Sequence, residues 1–233
     1  MLLGSYDLLA DDPSGFFRLT VLIVFALVTA VTIHEFSHAL VANSLGDKTA
    51  RRLGRLSLNP MRHLDLGGAL MMFIAGFGWG KPVPVDPSQL SRGHTDTALV
   101  AAAGPLSNLM FAFILAIPFK TGALVPVSLS LDRVAHVMTG GLSDGIADIL
   151  VLVIFFNLLL GVFNLLPLAP LDGSRVLAGF VPREHTVAYA KLQRSGPGLL
   201  VAIIMIDFAL GFGVLWGIIG PVVRTLTTAA TGY

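Results

Sequence analysis

Four long apolar stretches, residues 17–45, 97–119, 146–167 and 198–223, constrain this chain more than any other feature. Each reaches the roughly 20 largely apolar residues a helix needs to cross the hydrocarbon core of a bilayer. In hydrocarbon the backbone polar groups must be satisfied without water, so runs of this kind cross as helices. Composition agrees: 12% of the 233 residues are charged and 55% are hydrophobic, with a mean hydropathy of +0.81. A soluble domain carries about a quarter charged residues. A fifth apolar run, 67–78, is too short to cross and is studded with glycine, so it reads as re-entrant or interfacial. Residues 124–131 alternate in type around Pro126 and read as extended and peripheral. The chain contains no internal repeat and no low-complexity tract. The expected fold is therefore an α-helical polytopic membrane protein of about four spans with a re-entrant or β-hairpin-like interfacial segment. It forms one domain over residues 1–233, with no room for a soluble accessory domain after the last span.

The polar residues set direction. Lys48, Arg51, Arg52, Arg55, Arg62, Lys81, Arg92, Arg175, Arg183, Lys191 and Arg194 fall on one side of the expected spans. The other side has Arg18, Lys120, Arg133 and Arg224. Cytoplasmic loops carry the excess of lysine and arginine, which predicts that the first group is cytoplasmic and both termini lie outside. The basic loop 48–62 is a topology signal first, with attraction to anionic lipid of the bilayer a secondary possibility. A net charge of +1 without a basic block points to no nucleic-acid partner, and none is expected; the lack of cysteine excludes disulfides and thiolate metal sites. Asp7, Asp11 and Asp12 stand where a secretory signal would be cationic, so the first span is expected to stay in the mature protein.

That first span carries His34-Glu35-Phe36-Ser37-His38 near its cytoplasmic end. Histidines four apart share one helical face and can reach one metal ion, while Glu35 stands beside them to take a proton from metal-bound water. Zinc lowers the pKa of such a water to around 7. Chance or a polar bundle lining could also produce the pattern, but ionisable groups inside an apolar span are costly and usually functional.

A catalytic zinc takes three protein ligands and leaves one position open. Span three ends in Asn164-Leu165-Leu166-Pro167-Leu168-Ala169-Pro170-Leu171-Asp172-Gly173. Its prolines break the helix, and spans one and three run in the same direction, so Asp172 arrives at the depth of His38. On this ground alone Asp172 is equally a third ligand or an ordinary turn carboxylate, since Asp-Gly is a common turn pair. Span two begins near Ala101-Ala102-Ala103-Gly104-Pro105-Leu106-Ser107-Asn108. Asn108 could hydrogen-bond a substrate carbonyl or oxyanion, or with Gly104 simply serve helix packing.

Together these motifs resemble the site-2 protease family of intramembrane zinc metalloproteases, peptidase M50-like, in its compact prokaryotic form without PDZ or CBS domains. The first motif and Asn164–Gly173 are similar to the family's HExxH and N-x-x-P-x-P-x-L-D-G elements, and Gly104–Asn108 to its G-P-x-x-N. Further likeness lies in 55–65 and 76–85, and in all it runs from about Phe17 to Arg194. Ala169 between the prolines and Ser174 after Gly173 are small departures that touch no ligand. The resemblance implies a three-helix catalytic core, one Zn2+ held by His34, His38 and Asp172, and Glu35 as general base. It also implies that Asn108 and Asn164 assist near the scissile bond, and that the substrate is a transmembrane segment of another membrane protein. A metal transporter using the same histidines as a transit site is the main rival, followed by a catalytically silent membrane-protein-binding homologue. A soluble zincin is excluded by the spans.

Residues 76–85 mix glycine, Trp79 and prolines and read as an extended strand or hairpin at the interface. Such an edge could pair with an unwound substrate, or Trp79 could be a plain anchor. His63 and Asp65 are expected to order the basic loop rather than bind metal, and His94, His136 and His185 to stand alone in loops. Asp207, about ten residues into span four, is an ionisable group without an evident partner, read as structural before functional.

Overall fold

The computed structural model describes residues 6–65, 67–68, 80–125, 141–211 and 213–232. These form α1 (Tyr6–Asp11), α2 (Pro13–Ser44), α3 (Thr49–Arg52), α4 (His94–Leu115), α5 (Ile117–Lys120), α6 (Leu142–Asn164), α7 (Asp172–Ala178), α8 (Thr186–Leu210) and α9 (Val214–Thr231). Short 3-10 turns cover Pro60–Arg62, Pro87–Gln89 and Arg183–His185. Four stretches are long and apolar enough to cross a membrane: Pro13–Ser44, His94–Lys120, Leu142–Asn164 and Val214–Thr231.

Local chemistry explains the helix limits. Asp12 caps α2, its side chain accepting from Gly15 N at 2.9 Å, and Pro13 supplies a fixed φ at the first turn. Within α2 the hydroxyls of Thr20, Thr29, Thr32 and Ser37 each donate to the carbonyl four residues earlier, which satisfies them without water. The helix stops at Ser44, ahead of Gly46 at φ +113. α6 ends at Asn164, three residues earlier than the expected 167, because Pro167 cannot continue the ladder.

α2, α4 and α6 pack against one another. Leu19, Ile23 and Ala26 of α2 meet Leu152, Val153 and Phe156 of α6. Ala112 of α4 and Ala116 and Phe119 beyond it meet Ala147, Val151, Ile154 and Leu158 of α6, with Val223 and Ala230 of α9 completing the cluster. Small residues set the spacing: a Cβ on Gly161 would lie 3.0 Å from the Pro105 carbonyl oxygen.

The fourth expected span, 198–223, is not one helix. It is divided between α8 and α9 by a break at 211–213, where Gly211 and Gly213 both adopt the left-handed conformation at φ +64. The break lies alongside the middle of α6, since Trp216 packs on Phe155 with ring centroids 6.5 Å apart. Asp207 is the device that permits it. Its Oδ1 accepts from Val214 N at 2.6 Å and its Oδ2 from Leu215 N at 3.3 Å, satisfying donors at the new helix start. The partner missing from the sequence reading is thus a backbone.

Among the described residues there is no strand. An isolated antiparallel bridge joins Leu64 and Gly80, with Lys81 N donating to the His63 carbonyl at 2.7 Å. The re-entrant run 67–78 lies almost wholly outside the described residues, the hairpin-like 76–85 enters them at Gly80, and 124–131 is described only at Leu124 and Val125.

Candidate metal centre

The C-terminal third of α2, the middle of α4 and the turn after α6 converge on one site. One helical turn apart on α2, His34 and His38 present rings with centroids 4.6 Å apart at 86°. Asp172 opens α7, and its Oδ2 lies 2.9 Å from His34 Nε2 and 3.3 Å from His38 Nε2. One ligand atom from each residue falls within 4.8 Å of the others, with both histidines buried. The ordinary turn-carboxylate reading of Asp172 does not describe this arrangement: its carboxylate faces the two rings.

The far nitrogens of both rings are committed. His38 Nδ1 lies 2.7 Å from the Val100 carbonyl oxygen, which can only accept, so Nδ1 carries the proton. His34 Nδ1 lies 2.7 Å from Asn108 Oδ1. With Nδ1 donating, each ring turns the lone pair of Nε2 toward Asp172. Two imidazole nitrogens and a carboxylate oxygen converging at such separations form a donor set that can hold a cation. Tetrahedral zinc, with ligands at about 2.0–2.1 Å, sets its ligand atoms roughly 3.3 Å apart, so this donor set fits it.

Gly104 is the floor of the site. A Cβ there would lie 2.4 Å from His38 Nε2 and 2.8 Å from His34 Cε1. One turn later Asn108 is fully buried, and its Nδ2 donates to the Ala30 carbonyl at 2.9 Å and to Asn157 Oδ1 at 2.8 Å. Asn108 thus reaches His34, α2 backbone and α6. Asn164 donates to the Leu160 carbonyl of its own helix at 3.0 Å.

The Asp172 turn is held on several sides. Gly173 packs so closely that a Cβ would lie 2.2 Å from the Leu165 carbonyl oxygen. From α8, the Tyr189 hydroxyl donates to the Ser174 carbonyl at 2.6 Å and Gln193 Nε2 at 3.3 Å, while Gly196 leaves room for Ala169.

Glu35 faces the segment entering from Gly80. Its Oε2 accepts from Val83 N at 2.9 Å. Buried Arg55 fixes that segment by donating from Nη2 to the carbonyls of Lys81 and Pro82. His63 and Asp65 do order the basic loop: His63 Nε2 donates to the Ser57 carbonyl at 2.6 Å, and Asp65 accepts from Gly68 N at 2.8 Å. His94 and His185 are exposed and away from the centre, and His136 lies outside the described residues.

Two contributors escaped the sequence reading. Asn157 left only one signal, an amide within an otherwise apolar span. Arg55 lay inside a recognised motif, yet its bond to the segment facing Glu35 depends on tertiary structure.

The sequence profile of peptidase family M50 matches residues 22–206. The "Putative zinc metalloprotease YwhC" of Bacillus subtilis is 38% identical over 83% of this chain and 84% of its own length. The "Putative zinc metalloprotease Rip2" of Mycobacterium tuberculosis is 28% identical over 88% of this chain and 75% of its own, and that of Mycolicibacterium smegmatis 28% over 89% and 76%. No solved structure matches the chain.

Proposed function

The chain belongs to peptidase family M50 and is an integral-membrane zinc metalloprotease; on that premise we propose that it hydrolyses peptide bonds within transmembrane segments of other membrane proteins. The observation that carries this reading is the burial of His34 and His38 inside a helix long and apolar enough to span, beside Asp172 and Glu35. A scissile bond can meet such a centre only at membrane depth.

His34, His38 and Asp172 hold the zinc in this reading. Zinc bound there supplies an acidified water and polarises the scissile carbonyl. Glu35 receives the proton of the attacking water and passes it to the leaving amine nitrogen, one carboxylate serving as base and then acid. The Val83 amide keeps the Glu35 carboxylate turned to its working position. The substrate helix unwinds locally first, because its carbonyls are otherwise hydrogen-bonded along the helix. The centre faces the cytoplasm, on the side of the basic loops.

The test is purified protein in liposomes with a membrane-spanning substrate. Wild type is expected to cleave it and to stop when zinc is chelated. Glu35→Gln is expected to keep its zinc and lose cleavage by at least about 10²-fold, the lower range for a general acid–base group. Turnover at the wild-type rate in Glu35→Gln would overturn the role given to Glu35. Zinc flux across the liposome without hydrolysis would overturn the protease reading in favour of transport.

A further inference from the structure

We propose that Asn157, which does not touch the metal ligands, is a positioning residue that sets the tautomer of His34 through Asn108. The inference rests on the zinc reading above and deepens it.

The geometry is a hydrogen-bond chain with one permitted direction. Asn157 Nδ2 donates to the Val153 carbonyl at 2.8 Å, one turn back on α6. A carbonyl only accepts, so the NH2 end of Asn157 must face it, and Oδ1 is left pointing at Asn108. That oxygen needs a donor, so the NH2 of Asn108 turns toward it at 2.8 Å. The same NH2 donates to the Ala30 carbonyl at 2.9 Å, a second acceptor demanding the same orientation. Asn108 Oδ1 then faces His34 Nδ1 at 2.7 Å, and two acceptors cannot share a hydrogen bond. His34 must carry its proton on Nδ1 and present Nε2 to the metal.

Burial makes this ordering costly to violate. Asn108 and Asn157 are both 0% exposed and His34 is 5% exposed. No water is at hand to satisfy a flipped amide, and an unpaired polar group in such surroundings costs about 1–3 kcal/mol. Metal-bound histidines elsewhere use a carboxylate or carbonyl for this task, and losing that partner weakens metal binding about 10–100-fold. Here the carbonyl is a side-chain amide whose orientation is held jointly by the Ala30 carbonyl of α2 and by Asn157 of a third helix.

Three measurements on the full-length protein in detergent test the proposal. The first is zinc affinity, by competition with a chelator. Asn157→Ala removes one of the two acceptors that orient Asn108, leaving the Ala30 carbonyl alone to hold it, and is expected to weaken zinc binding about tenfold. Asn157→Asp, with its buried carboxyl neutral, keeps a donor toward Val153 and an acceptor toward Asn108 and is expected to stay within about threefold of wild type. The second is the visible spectrum of the cobalt-substituted protein, expected to shift in Asn157→Ala and not in Asn157→Asp. The third needs no variant: 15N spectra of the imidazoles in zinc-loaded wild type, where His34 is expected to be protonated at Nδ1 and metal-bound at Nε2.

Wild-type affinity and an unshifted cobalt spectrum in Asn157→Ala would overturn the proposal, as would an Asp variant as impaired as the Ala variant. Metal on Nδ1 of His34 would overturn it even if both variants failed to fold. A wild-type protein that binds no zinc would instead remove the reading on which it stands.

Discussion

At Gly104 the centre has no space for a methyl group, which is why glycine stands there. A Cβ there would fall 2.4 Å from His38 Nε2, the nitrogen turned toward Asp172. Gly104→Ala must therefore displace that ring, and zinc affinity is expected to fall by at least about tenfold. Zinc content by mass spectrometry alongside far-UV circular dichroism checks this, since helix content should hold. Arg55 offers the complementary case. It ties down the carbonyls next to Val83, whose amide holds Glu35. Arg55→Gln is expected to lower kcat by up to about 10²-fold, the scale of a small misplacement of a reacting group, with zinc content unchanged. Loss of zinc in parallel with kcat would show that Arg55 acts on the fold instead. These residues differ in how far sequence could read them. His34, Glu35 and His38 lie on one turn, so helical spacing alone brought them together. Asp172 is distant by 138 positions from His34, and only span direction and the proline-broken helix end brought it to the same depth. Asn108 was noticed, but its partners were not, because which atoms a buried amide meets is a property of packing.

The helices themselves were legible because hydrophobic length is a local property. The first and third expected spans return as single helices with ends shifted by a few residues, and the second continues past Ala116 as the short α5. The fourth was misread as continuous. Glycine is frequent in spanning helices, so Gly211 and Gly213 in an apolar run do not by themselves announce a break. The decisive element is Asp207, whose carboxylate replaces the carbonyls that an unbroken helix would have offered to Val214 and Leu215. Its role is that of an N-cap reaching across the break from the preceding helix. Asp207→Ala is expected to cost about 1 kcal/mol, the scale of a lost cap, and to lower the thermal midpoint in detergent. Asp207→Asn keeps an acceptor and should recover most of that loss. Zinc affinity should stay at the wild-type value in both, because Asp207 makes no bond to the centre. A zinc defect in Asp207→Ala would show that the break between α8 and α9 is coupled to the metal ligands.

Across the whole molecule, the candidate metal centre lies toward one end of the bundle, between the last third of α2, the middle of α4 and the turn after α6. The opposite end holds the start of α2, α5 and the end of α9, with Ala230 packed near Phe119 and Ala147. This polarity follows from alternating span direction. It makes the centre's location a question of orientation: whichever side of the membrane holds the basic loops also holds the zinc. The lysine and arginine imbalance predicts that this side is the cytoplasm. The chain has no cysteine, so a single introduced thiol reports on its own position without background. Ser91, exposed ahead of α4, marks the end with the centre, and Thr121, exposed just beyond α5, marks the other. In intact cells a membrane-impermeant maleimide is expected to label Thr121→Cys and to spare Ser91→Cys, with both labelled after permeabilisation. The reverse pattern would put the zinc outside, where the attacking water and the released fragments would also be external. Equal labelling in intact cells would mean that the protein inserts both ways, which the eleven-to-four charge imbalance opposes.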